Sequence, residues 1–287
     1  MRKVIYFTAI ILTAVFFLGL AQPPRDGLSD QLKRADTCLA DEKYAQAESI
    51  YRQVLTDAPA DSNEAFAAQR HLVRLYILSG DQAAGDLELA QLTGRFSTRA
   101  DLPGAIWQIG QTYSSVEEYE RAEQVHRYNV ANYPHDTYAM WSQVEIVYSY
   151  IDRGGDAAAA YDRLLAVFAA QPTLPKEIYQ IAKRYQDSGK QNKAIELYQY
   201  NVERFPSDMY AMCSQVDIIY SNIDRKDNTA ADAAFDKLLA LFAEQPALPK
   251  EIHQIAMKYS GSGQAEKAYS LHQYNVEHFP DYNDLHV

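Results

Sequence analysis

The chain is poor in the residues that interrupt helices: 12 Gly and 11 Pro in 287 residues, a scarcity that points to a helical protein. Cysteine is nearly absent. Only Cys38 and Cys213 occur, 175 positions apart, so no disulfide framework is available. Positive charge is in deficit, with 27 Lys and Arg against 38 Asp and Glu and a formal net charge of -11, which argues against a nucleic-acid partner. No block of five or more like charges occurs, so the acidity is spread over solvated helix faces and forms no acidic tail. Catalytic signatures are missing as well: no phosphate-binding Gly loop, no G-x-S-x-G, no H-E-x-x-H and no EF-hand loop. The one Gly cluster, GSG at 261–263, reads as a helix break. These absences predict a non-catalytic chain without cofactor or metal.

What is present begins with an apolar leader. MRKVIYFTAIILTAVFFLGLAQPP places Arg2 and Lys3 before an uncharged run from Val4 to Leu20 and closes with Gly19 and Ala21, the small-x-small spacing of an export signal cut after Ala21. The run also approaches the length of a membrane anchor. Either way, everything after residue 22 is expected across the membrane, periplasmic or extracytoplasmic, soluble or tethered through residues 4–20. Removal of residues 1–21 leaves 25 basic and 38 acidic side chains, a net charge of -13. No Cys follows the run, against a lipoprotein anchor. The chain exceeds one compact domain, so it is two domains or an elongated array.

A threefold echo favours the array. YNVANYP, YNVERFP and YNVEHFP start at 128, 200 and 274, 72 and 74 residues apart. Each closes a longer copy that opens with Leu-Pro, at Pro103, Pro175 and Pro249. Pro in a first helical turn, with Glu177 and Glu251 behind it, marks a helix start. Ile178, Ile181, Ala182 and Tyr185 trace one helical stripe, a polar turn follows, and Ala194, Leu197, Tyr198 and Val202 trace a second that Phe205-Pro206 ends. This helix-turn-helix unit resembles the tetratricopeptide repeat. Ile181, Ala182, Tyr185, Ala194 and Pro206 match its preferred residue types. So do Ile109, Gly110, Tyr113, Ala122 and Pro134, then Ile255, Ala256, Tyr259, Ala268 and Pro280, and Tyr44, Ala47, Tyr51 and Pro59 near the N-terminus. Weaker units lie between, with inserts expected in their inter-helix turns, so two units make one long period.

The resemblance implies an all-α, right-handed α-solenoid of about seven helix hairpins over 30–280, after a leader at 1–21 and a linker at 22–29 and before a tail at 281–287. It implies a protein or peptide partner held in a concave groove lined by first helices. Carried over, the lining residues are Trp107, Gln111 and Ser114; Ser142, Ile146 and Ser149; Tyr179, Lys183 and Gln186; Ser214, Ile218 and Ser221; and His253 and Met257. The "YP, polar, YA" junctions, Tyr133-Pro134 with Tyr138-Ala139 and Phe205-Pro206 with Tyr210-Ala211, resemble those of periplasmic tetratricopeptide proteins of envelope assembly. The lack of a polar capping helix after HFPDYNDLHV suggests self-association through the last hairpin.

Several residues depart from the family's pattern. Asn129, Asn201 and Asn275 stand where a small residue is usual; each is expected either to bond, if buried, a backbone group at the next hairpin's start or to contact a ligand. Glu145 and Asp217 also replace small residues, and are expected either to turn outward or to pair with Arg153 or Arg225. Of the seven His, four come late: His253, His272, His278 and His286. His272 and His278 point to different sides of a helix, which argues against zinc. His126 and His272 read as interface packers. In a solenoid Cys38 and Cys213 cannot meet, and both read as small buried hydrophobes.

Overall fold

A computed structural model describes residues 27–282. The leader at 1–21, most of the linker and residues 283–287, His286 included, lie outside the described residues. Among these the secondary structure is helical, fourteen helices in seven hairpins. They are α1 (Leu28–Ala40) with α2 (Tyr44–Asp57), α3 (Asn63–Leu78) with α4 (Gln82–Arg95), α5 (Leu102–Ser115) with α6 (Tyr119–Asn132), and α7 (Thr137–Asp152) with α8 (Ala158–Phe168). There follow α9 (Leu174–Asp187) with α10 (Gln191–Arg204), α11 (Met209–Asp224) with α12 (Asn228–Phe242), and α13 (Leu248–Gly261) with α14 (Ala265–His278).

Local chemistry sets the boundaries. Pro103, Pro175 and Pro249 occupy the first turns of α5, α9 and α13, where a missing N–H costs nothing. Ser62, Asp81, Asp136, Asp208 and Asp227 cap α3, α4, α7, α11 and α12 by accepting a backbone N–H. Gly263 takes a φ of 81° in the α13–α14 turn, so the GSG run is a turn that needs a left-handed residue. The expected inserts of the weaker units are absorbed differently from the expectation. α7 and α11 lengthen to 16 residues against 14 for α5, α9 and α13, and only the α7–α8 turn is longer than its counterparts.

The helices stack so that each first helix packs on the next first helix, α1 on α3 and onward to α11 on α13, whereas successive second helices do not pack closely on one another. First helices therefore line the tight inner side of the curve and second helices splay on the outer side. The core runs along the stack instead of gathering at one centre. Tyr51, Tyr113, Tyr198 and Tyr259, with Phe96, Phe168 and Phe242, are its largest wholly buried side chains.

Three buried asparagines stitch the stack. Asn129 Nδ2 donates to the Pro103 carbonyl at 2.9 Å, inside its own hairpin, and to Ser142 Oγ at 2.9 Å and the Tyr138 carbonyl at 3.4 Å in the next. Asn201 repeats the set with Pro175, Ser214 and Tyr210 at 3.0, 3.0 and 3.4 Å. Asn275 makes only the first bond, to the Pro249 carbonyl at 2.7 Å. The expected bond to the next hairpin is thus present in two copies. In all three the amide also ties the hairpin's own second helix to the start of its first.

The long period has a structural counterpart. α2, α6 and α10 pack firmly on the first helix that follows, whereas α4, α8 and α12 hardly touch theirs, so the solenoid is built of two-hairpin blocks joined along their first helices. At the first and third joints this leaves matching clefts of about 330 Å³ beside Asp86, Leu89, Arg121 and Tyr128 and about 370 Å³ beside Asp232, Phe235, Lys267 and Tyr274. The ion pairs Asp86–Arg121 and Asp232–Lys267 bridge them.

Replacing Asn201 by Ala removes both halves of the stitch and leaves buried acceptors unpaired, and should cost about 1–3 kcal/mol. Asn275→Ala should cost less, because one half is already missing. Urea unfolding of the two variants measures the difference, and a wild-type midpoint for Asn201→Ala would contradict the role given to the amide.

Candidate interaction groove

The inner face carries polar contacts that link the first helix of one hairpin to the first helix of the next. On α1 and α3, Asp36 bonds the His71 ring while Tyr51 donates to the same carboxylate at 2.6 Å. On α5 and α7, Gln111 lies beside Glu145 and favours its ionised form. On α9 and α11, Lys183 Nζ stands 3.5 Å from Asp217 Oδ1, and burial together with the same carboxylate raises the Tyr179 phenol. His71, Glu145 and Asp217 lie 74 and 72 residues apart in the sequence, the period of the blocks.

These rungs correct the expected pairing of Glu145 and Asp217. Arg225 donates instead to Asn192 at 2.8 Å, and Arg153 lies 3.8 Å from Glu123 and over the Tyr119 and Tyr150 rings. Both arginines follow the end of a first helix, too far along it to reach a carboxylate near its middle. The partners come from the preceding hairpin.

Aromatic rings flank the rungs. Trp107 stands 5.6 Å from Trp141 and 5.8 Å from Tyr138, and Tyr179 lies 5.9 Å from Tyr198 and 5.8 Å from Tyr210. His253 rests 5.1 Å from His272. His126 is wholly buried against Gly110, where a Cβ would come within 2.3 Å of its ring, and burial alone lowers its pKa to about 4. His126 and His272 are interface packers, as expected.

The predicted groove residues divide. Trp107, Gln111, Ser114, Ser149, Tyr179, Lys183, Gln186 and His253 are partly exposed, and Met257 is exposed. Ser142, Ser214 and Ser221 are wholly buried and already engaged: Ser142 and Ser214 accept the asparagine stitches, and Ser221 accepts from Gln191 at 2.7 Å. Ile146 and Ile218 are also buried. Cys38 and Cys213 are half-exposed, a departure from the buried pair expected, and remain free thiols; burial pushes the Cys213 thiol up to about 11.

Sequence reasoning missed Glu177, Glu251, Trp141, Tyr148 and Tyr220 as parts of this face. Glu177 is only 8% exposed. Burial raises the pKa of Glu145, Glu177 and Glu251 above the usual carboxylate value; Glu177 adds to the shift of Glu145, and Asp217 to that of Glu251. Lys176 and the Trp141 indole offset part of the Glu177 shift. The signal was present in the recurrence of Glu at 177 and 251, which the helix-dipole argument explained only in part. Among the described residues no group of three His, Cys, Asp or Glu side chains gathers as a metal ion would need. No described helix is long and apolar enough to cross a membrane.

Residues 169–273 match the family described as Tetratricopeptide repeat. That stretch carries tetratricopeptide repeats. A stretch of 116 residues is 32% identical to the cellulose synthase operon protein C of Pseudomonas fluorescens, covering 40% of this chain but only 9% of that much longer protein. Among solved structures, the C-terminal part of a tetratricopeptide repeat-containing protein from Cytophaga hutchinsonii aligns with 15% identity over 88% of this chain and 97% of its own, at a TM-score of 0.45. A tetratricopeptide repeat protein from Parabacteroides merdae aligns with 13% identity over 90% and 94%, at 0.38.

Because burial raises Glu177 and Glu251 from the ordinary value of 4.5, the folded chain holds their protons more tightly than the unfolded chain. Their contribution to stability is full below that value and is lost as pH rises through the raised values. Glu177→Gln/Glu251→Gln should therefore unfold at a higher urea concentration than wild type at neutral pH, with the gap closing on acidification below the ordinary carboxylate pKa. A gap that does not change with pH would contradict burial of the charged forms.

Proposed function

We propose that this tetratricopeptide chain is an exported, non-catalytic scaffold that holds a polypeptide partner along its inner face, in the bacterial cell envelope. The observation that carries the reading is the half-exposed row of Trp107, Tyr179 and His253, set among polar groups on successive first helices. Aromatic anchors beside polar donors and acceptors make a surface suited to an extended or helical peptide. Export rests on the leader at 1–21, and the envelope on the junction resemblance; the partial likeness to a cellulose synthase operon protein agrees with a bacterial setting. A role as a self-assembling envelope component is the second reading. Val276 on α14 is 54% exposed, whereas Val130 and Val202 at the matching places are 2% and 1% exposed beneath the next hairpin.

Residues 22–287 and the Trp107→Ala/Tyr179→Ala variant, used side by side as bait for envelope proteins of the source cell, separate the two. The scaffold reading expects a partner retained by the first bait and lost from the second. Recovery of the chain alone, equally on both, would favour self-assembly through α14.

A further inference from the structure

The outer side of the stack repeats as well, and one of its copies lacks a ring. Buried Gln69, Gln143 and Gln215 donate to the carbonyls of Glu88, Ala160 and Ala234 at 3.2, 2.8 and 2.7 Å. These bonds fix the register of the second helices, so the next residues, Leu89 on α4, Tyr161 on α8 and Phe235 on α12, hold one position in three successive blocks. Across the joint, Tyr128, Tyr200 and Tyr274 correspond in the same way.

At the second and third joints a ring meets a ring. Tyr161 lies 6.4 Å from Tyr200 at 78°, and Phe235 lies 6.2 Å from Tyr274 at 80°, the edge-to-face geometry that aromatic pairs favour. At the first joint Leu89 supplies no ring. Among the described residues Tyr128 has no aromatic partner, and it is 40% exposed where Tyr200 and Tyr274 are half-buried.

The space beside Leu89 and Tyr128 is the cleft of about 330 Å³, and its walls reach inward to Val125 and to Ile106, which is wholly buried. The third cleft takes a different course. With Phe235 in place it opens over Tyr259, and Ile252, the counterpart of Ile106, is not among its walls. A ring at this position thus closes the inner part of the joint, and Leu89 leaves it open. At the rim, Asp86 accepts from Tyr113 and Arg121, and Arg121 also donates to Glu118, so the cleft offers a ligand mainly apolar surface. Walls without a facing neighbour forfeit dispersion contacts, and an apolar cavity takes an apolar molecule in preference to water.

We propose that the cleft between α4 and α6 is a binding site for an aromatic ring supplied from outside the chain, seated edge-on to Tyr128 where Tyr161 and Phe235 stand in the other blocks. The site lies on the opposite side of the stack from the inner groove and does not rest on the reading of that groove. The ring belongs to a free aromatic molecule or to a side chain of a polypeptide, and the test separates these sources.

Methyl NMR of the purified chain reads the site directly, with the Ile106 and Val125 resonances as reporters. The probes are p-cresol and cyclohexanol, its non-aromatic counterpart. p-Cresol should shift both resonances saturably, and cyclohexanol should need about threefold more or beyond. Leu89→Phe supplies the ring from within, as the third joint already does; it should raise the melting temperature and abolish the saturable shift. Leu241→Phe, the same change at an exposed position on α12, should leave binding within about twofold. Tyr128→Ala should weaken p-cresol by about threefold or more, and it carries the test if Leu89→Phe does not fold. A capped Ala-Ala-Tyr-Ala-Ala pentapeptide that binds at least as tightly as p-cresol assigns the ring to a polypeptide; weaker or no binding assigns it to a free aromatic molecule. Equal binding of the two probes, a saturable p-cresol shift that survives Leu89→Phe or Tyr128→Ala undiminished, or no saturable shift in the wild type would each overturn the proposal.

Discussion

The structure depends on a buried amide. A helical hairpin of this size cannot bury its own apolar face, so everything rests on how one hairpin is held to the next. Asn129 and Asn201 do this with one NH₂ group each, reaching a carbonyl in the first turn of their own hairpin and a serine and a carbonyl in the next. Asparagine is a poor helix former, and each buried Oδ1 lacks a protein partner. What the residue supplies in return is geometry: three chain segments converge on one nitrogen, fixing the approach of successive first helices.

That approach creates the inner face and decides what stands on it. Once first helices run side by side, a side chain near the middle of one meets its counterpart on the next. Asp36 with His71, Gln111 with Glu145 and Lys183 with Asp217 are three solutions to the same contact. The outer side has no such constraint, because second helices diverge there and the block joints open into clefts bridged by ion pairs. The inner face thus concentrates rings and carboxylates at a regular interval.

Much of this was legible in the sequence because it is local. Helix stripes, first-turn prolines and the aromatic-Pro stops follow from residues a few positions apart, and the echo at 72 and 74 residues revealed the two-hairpin block. Relations across hairpins were harder to read. Ser142 and Ser214 stood at groove-lining positions, yet the asparagine of the preceding helix draws them inward. For Glu145 and Asp217 the sequence leaves two choices, turning outward or pairing with an arginine of their own hairpin, whereas the nearest reach is across the stack to Gln111 and Lys183. The inserts of the weaker units were placed in turns, but two extra residues extend a helix at little cost when its neighbours on both sides already support it.

Backbone hydrogen–deuterium exchange of the chain, with and without a bound partner, reads out whether the inner face takes the partner. Exchange should slow in α5, α7, α9, α11 and α13 on binding, with α8 and α12 unchanged. Protection confined to second helices, or to α14 alone, would contradict it.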